Sequence, residues 1–129
     1  MNRRMQKGHA MLDLALSAGV MTACLAGTLQ FGYTFYVYNQ LVAAVGDGAR
    51  FASRRPHSGD READKAAIRN LVVNSTPAAM HLQPDQVEIE FAEDTVHLAI
   101  RGYKIDALVA NIDFDGRPAV EFPYIGPAQ

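Results

Sequence analysis

The sequence predicts an α+β chain: a long N-terminal helix that crosses a membrane, then a short helix and a small antiparallel sheet. Three observations predict it. An uncharged run extends from Leu14 to Gly46 over 33 residues, well past the roughly 20 that span a ~30 Å hydrocarbon core at ~1.5 Å per residue. Asp60-Arg61-Glu62 stand ahead of Ala63, Ala66, Ala67, Ile68 and Leu71, a helical period with acids in its first turn. From Val87 to Ile100 apolar and polar residues alternate about Glu93-Asp94, the period of a half-buried hairpin.

At the N-terminus, residues 1–8 carry Arg3, Arg4 and Lys7 and no acid, whereas residues 47–129 hold 9 basic and 13 acidic residues. Basic flanks stay cytoplasmic, so the chain is read as a single-pass membrane protein, N-terminus in and C-terminal domain out. The expected division is 1–8 leader, 9–55 long helix and 56–129 extracytoplasmic domain. Counted from Leu14, a membrane-length segment ends near Tyr33, where an aromatic cluster begins: Phe31, Tyr33, Phe35, Tyr36 and Tyr38. Such rings favour the headgroup level. Asp13 stands at the inner edge of the span, where a carboxylate is costly without a partner.

Along the span Ala15, Gly19, Ala23 and Gly27 recur at intervals of four, a small-residue stripe that lets helix backbones approach closely. Beyond it Leu41, Val45, Ala49 and Ala52 continue an apolar stripe suited to covering a small domain. Gly46 and Gly48 weaken the helix locally, either as a hinge or, the preferred reading, for close packing against that domain. Pro56-His57-Ser58-Gly59 ends the helix, and the short second helix is expected to stop near Asn74.

In the hairpin Phe91 should face Val96, Ile89 Leu98 and Val87 Ile100, with Glu88, Glu90, His97 and Arg101 on the wet face. A second hairpin is expected about Asp115-Gly116, joining Leu108–Phe114 to Arg117–Phe122, with Pro118 confining the latter to an edge. Asn111, Asp113 and Asp115 with Gly116 also open a calcium-loop pattern, but its twelfth position is Phe122 in place of a bidentate glutamate. A plain turn is the preferred reading, and no metal or other cofactor is expected.

A net charge of −2 leaves no basic footprint for nucleic acid. Cys24, the single cysteine, lies mid-span and offers the outer domain no disulfide. His9, His57, His81 and His97 lack metal-ligand spacing, and no serine or cysteine sits in a nucleophile motif. The composition points away from an enzyme.

The leader admits three readings. A cleaved secretory signal fails because the apolar stretch is too long and no small-residue site closes it before Gln30. Lipidation at Cys24 fails because the chain stays apolar well beyond it. Cleavage after Gly8 would leave His9 as the new N-terminus and keep the whole hydrophobic helix. Lys7-Gly8 followed by His9-Ala10-Met11-Leu12-Asp13 resembles a prepilin peptidase site with an acidic residue fifth in the mature chain. Gln30-Phe31-Gly32-Tyr33-Thr34-Phe35-Tyr36, Asn39-Gln40-Leu41 and Gly46-Asp47-Gly48-Ala49-Arg50-Phe51-Ala52 then resemble the helix of TadE-like pseudopilins, minor subunits of the tight adherence (Tad) type IV pilus. Asp13-Leu14 replaces the family's usual glutamate and aromatic residue, and no proline precedes Pro56.

The resemblance implies a structural minor pilin that is processed after Gly8, acts in pilus assembly, initiation or tip formation, and can enter an extracellular fibre. It implies as partners the prepilin peptidase, other minor pilins and the major pilin through the N-terminal helix, and the Tad inner-membrane assembly platform. It also implies that Asp13 pairs with the freed α-ammonium of His9, its own or a neighbour's; own-chain pairing fits the i,i+4 spacing. The alternative is an unprocessed single-pass protein whose outer domain binds a partner or surface.

Overall fold

The computed structural model describes residues 3–54, 60–92, 95–105 and 111–123, with side chains from Gly8 onward. Helix α1 runs unbroken from Arg3–Arg54, 52 residues, about 78 Å at ~1.5 Å per residue. The expected helix end at Pro56 and the Glu93-Asp94 turn lie outside the described residues.

Helix α2, Arg61–Ser75, starts where the sequence places it. The Asp60 carboxylate accepts hydrogen bonds from the backbone N–H groups of Glu62 and Ala63 at 3.1 and 3.3 Å, occupying two donors that a helix start leaves open. Thr76 closes it, its hydroxyl donating to the Val73 carbonyl at 2.7 Å. Short 3₁₀ turns at Ala78–Met80 and Pro84–Gln86 lead to the strands.

Strands β1 (Val87–Phe91) and β2 (Thr95–Ile100) pair antiparallel in the register read from the sequence, Val87 opposite Ile100, Ile89 opposite Leu98 and Phe91 opposite Val96. Glu90, His97 and Glu121 form a row across the other face, and Glu88 pairs with Arg101 there.

The expected second hairpin is corrected by the structure. Strand β4 (Ile112–Phe114) pairs with β3 (Tyr103–Ile105), a partner the sequence reading left out. Strand β5 (Ala119–Pro123) crosses to β2, giving the order β1-β2-β5. The reason is apolar matching: in this register Phe122 lies opposite Val96 and Val120 opposite Leu98, and both are partly buried on the core. Pairing with β4 would forgo that contact. Pro118, which has no N–H to give a ladder, sits just before β5, and β5 is an edge strand as expected.

The core lies between the outer half of α1, helix α2 and the inner face of the sheet. Val37, Leu41, Val45 and Ala49 of α1 meet Ile68 and Val72 of α2 and Val87, Val96, Leu98 and Ile100 of the sheet, each no more than 1% exposed. Complete burial of a Val, Leu or Ile side chain contributes about 1.5–3 kcal/mol, so the domain is held on α1 mainly by apolar contact. Gly48 is part of this fit. A Cβ there would overlap Val72 Cγ2 and lie 3.1 Å from Leu98 Cδ2, whereas one at Gly46 would meet nothing within 4 Å. Close packing therefore explains Gly48, and Gly46 makes no such contact.

Candidate functional site: the bare helix and the underside of the domain

One face of α1 does two jobs. Ala23, Gln30, Val37 and Ala44 stand seven apart, as do Gly27, Thr34, Leu41 and Gly48, and residues seven apart lie nearly above one another on a helix. The outer members, from Val37 on, are buried under the domain. The inner members open onto an apolar groove of about 530 Å³ between Ala23, Ala26, Gly27, Gln30, Thr34 and Ile112 of β4. Gln30 Oε1 and Thr34 Oγ1 are buried there with no hydrogen-bond partner among the described residues. The hydroxyls of Thr22 and Thr28, by contrast, donate to the carbonyls of Ala18 and Cys24, four residues back.

The small-residue stripe joins this face only at its outer end. Steps of four drift around a helix of 3.6 residues per turn, so Ala15 and Gly19 lie progressively to one side of Ala23 and Gly27. All four are exposed, and added Cβ atoms at Gly19 and Gly27 would meet nothing within 4 Å. Residues 8–25 are exposed throughout; these 18 residues measure about 27 Å along the axis, close to a hydrocarbon thickness.

Gly8, His9 and Asp13 lie on this bare stretch, where all three side-chain positions are exposed. Asp13 follows His9 by one helical turn, so a free α-ammonium at His9 would face a carboxylate on its own side of the helix. The apolar surface around them is large: Met11, Leu12, Leu14 and Leu16 are at least 70% exposed.

The aromatic cluster divides. Phe31, Tyr33, Phe35 and Tyr36 are at least half exposed. Tyr38 is drawn into the domain, its ring stacked on Phe114 at 5.7 Å between centroids and 28° between planes. The sequence reading grouped it with the membrane-facing rings because nothing along the chain announced the β3–β4 hairpin.

Of the calcium-pattern residues, Asp113 is on extended strand β4, with Lys104 3.6 Å away, and Asn111 and Asp115 flank it. An extended strand does not wrap its oxygens around a cation as a calcium loop does. Among the described residues no group of three His, Cys, Asp or Glu side chains is placed to hold a metal ion.

Beside Tyr33 lies an open cleft of about 390 Å³, formed by His81, Gln86, Tyr103 and Lys104, which sequence reasoning missed. The Tyr103 hydroxyl donates to the Met80 carbonyl at 2.8 Å. Burial, with a smaller effect from Tyr33, pushes its phenol above the ordinary tyrosine range.

One helix of the described residues, within Gly8–Arg54, is long and apolar enough to cross a membrane, and its most apolar stretch is unburied. The core helix of a soluble protein is mostly buried, and this one is not, which fits an anchor near the N-terminus. No curated protein and no solved structure matches the chain. Residues 8–50, which make up most of α1 and begin at the glycine of the expected cleavage site, match the sequence model of the family described as TadE-like protein, and over that segment the chain is similar to that family.

Proposed function

We propose that the chain is a structural minor pilin of a Tad-type pilus, anchored in the bacterial inner membrane by α1 and processed after Gly8 by a prepilin peptidase. The observation that carries this reading is the TadE-like match, which starts at Gly8 and runs along the helix whose residues 8–25 are bare. A bare apolar helix of that length needs lipid before assembly and other helices after it. The groove beneath β4 suits a neighbouring helix, since a donor carried into it would satisfy Gln30 and Thr34. Asp13 then serves as a register device, its charge neutralised by an α-ammonium of the same or an adjacent subunit.

In this reading the outer domain sets spacing and partner choice, and the helix does the joining. The partners are the major pilin, other minor pilins and the Tad assembly platform, and the domain faces the periplasm. The role is assembly, with no reaction at its centre. Affinity capture of the full chain from native membranes tests it. Co-purification of pilins and platform proteins, reduced by Gly19→Leu, is the expected result. Capture of the chain free of any pilus component contradicts it.

A further inference from the structure

The two free edges of the sheet β1-β2-β5 differ, and the phase of its hydrogen bonds tells which backbone groups each one offers. The Arg101 N–H donates to the Gln86 carbonyl and the Ala92 N–H to the Thr95 carbonyl, both at 2.8 Å. Opposed residues in an antiparallel ladder alternate between exchanging bonds and not. Glu88 with Ala99 and Glu90 with His97 therefore exchange theirs, and Val87 and Ile89 turn their N–H and C=O groups outward. That edge is closed: Val87 and Ile89 are 1% and 4% exposed, and Arg69 of α2 donates from Nε to the Val87 carbonyl at 3.2 Å. On the other side the Ile100 N–H donates to the Pro118 carbonyl at 3.3 Å, so Val120 and Phe122 bond to β2 while Ala119 and Glu121 turn outward. Both are exposed. Among the described residues their N–H and C=O groups meet no hydrogen-bond partner.

Three features define what the open edge can take. Pro118 immediately precedes β5, and Pro123, whose nitrogen carries no hydrogen, ends it; the ladder on offer is confined to residues 119–122 and cannot template an extended sheet. Val120 and Phe122 pack on the core yet stay half-buried, because no strand lies beyond them. On the wet face Glu121 ends the row through His97 to Glu90. Among the described residues no basic side chain pairs with either carboxylate; Lys65, which shares the hollow over this row, is bonded to Glu62 at 3.1 Å. A strand added here sets apolar side chains beside Val120 and Phe122, and beside Glu121 one for which a cation is favoured and a carboxylate opposed. A second copy does not meet that description. Its β1 edge is closed and bears Glu88 and Glu90 on the same face. Pairing β5 with β5 turns the other copy by half a turn about the sheet normal, and since α1 lies across the inner face, its α1 then runs the opposite way. Two chains anchored in one bilayer as proposed above cannot adopt that arrangement.

We infer that the β5 edge seats a short extended segment of a different polypeptide, one that alternates aliphatic and basic residues and sets a Lys or Arg opposite Glu121. Laid antiparallel, the segment exchanges a pair of hydrogen bonds with each of Ala119 and Glu121. The outer domain then holds this partner on the side of its sheet away from α2, separately from the packing surface of α1.

Titration of the full chain in detergent micelles with the acetylated and amidated peptide Thr-Val-Lys-Val-Thr, followed through backbone amide chemical shifts, tests the assignment. Saturable shifts at Ala119 and Glu121, with Val87 and Ile89 unmoved, are expected. Glutamate in place of the peptide lysine should weaken binding about fivefold, and Glu121→Lys in the chain should reverse that preference. N-methylation of the peptide lysine, which removes the N–H aimed at the Glu121 carbonyl, should lower affinity about tenfold. Equal affinity for the lysine and glutamate peptides overturns the proposal, as does undiminished binding of the N-methyl peptide, a shift at Val87 and Ile89 in place of Ala119 and Glu121, or no saturable shift. A chain that sediments as a dimer until the peptide is added also overturns it, by putting a second copy on the edge. The lysine-to-glutamate exchange is made in the peptide, so it decides the matter whether or not Glu121→Lys folds. The titration is indifferent to cleavage after Gly8 and to anchoring, which resistance of the chain to alkaline extraction from membranes reports separately.

Discussion

Two glycines two positions apart on α1, Gly46 and Gly48, give the sharpest test of how the domain sits on its helix. Alanine at either position gains helix propensity worth about 0.5–1 kcal/mol. At Gly46 nothing opposes that gain, because a Cβ there has no neighbour within 4 Å. At Gly48 the new methyl overlaps Val72 Cγ2 and crowds Leu98 at 3.1 Å, with Ile68 in ordinary contact at 3.7 Å. Val72 and Leu98 are 0% exposed, so neither can swing aside into solvent. Overpacking a filled core costs about 1–3 kcal/mol. Gly46→Ala should therefore raise the thermal midpoint of the purified protein by a few degrees, and Gly48→Ala should lower it. The propensity gain is common to both, so the two midpoints should differ by the overpacking cost alone, about 4–24 °C at about 4–8 °C per kcal/mol for a domain of this size. Circular dichroism melts of both variants in one detergent provide the comparison. Parallel increases would show that Gly48 is not pressed against α2 and β2. Parallel decreases would mean that both glycines serve bending, and the packing account would fail.

Leu41→Ala should cost about 2–5 kcal/mol, since Leu41 is 0% exposed at the centre of the helix–domain contact; a chemical denaturation curve unchanged from wild type would contradict this. Gly19→Leu should leave the thermal midpoint at or above that of wild type, since helix propensity rises and no described atom crowds the position, while recovery of the subunit with pilus components falls. If that recovery is unaffected, the stripe is not a packing surface. Asp13→Ala should reduce incorporation into assembled material with cleavage after Gly8 largely intact, as read by immunoblot of sheared fibre and membrane fractions; normal incorporation ends the pairing role.

Long-period and local features of this chain were legible in its sequence. An uncharged run of membrane length, an acidic cap at Asp60 and alternation from Val87 to Ile100 each act within a few turns or across one tight connection, so the pattern itself carries the structural cause. The β3–β4 pairing was not legible. Tyr103–Ile105 is a three-residue strand, too short to show a period, and Asp115-Gly116 offered a local turn that competed for β4. What decided the matter was non-local: Val120 and Phe122 find apolar partners across from Leu98 and Val96. The same missing hairpin hid the fate of Tyr38, which stacks on Phe114, and the cleft at Tyr33, whose wall includes Lys104 of β3. The seven-residue rows through Ala23 and Gly27 could have been read from the sequence. Those rows put Ala23 and Gly27, the outer end of the small-residue stripe, on the face that the domain covers further along.

Gly8 and Asp13 stand apart, because their proposed roles depend on an event along the chain and on neighbours, neither of which a single subunit displays. Intact-mass and N-terminal peptide analysis of the chain isolated from its native membrane is the most direct measurement. The account predicts a mature N-terminus at His9, with residues 1–8 absent. A chain that retains Met1 to Gly8 through assembly, or that is cut beyond Asp13, would contradict it.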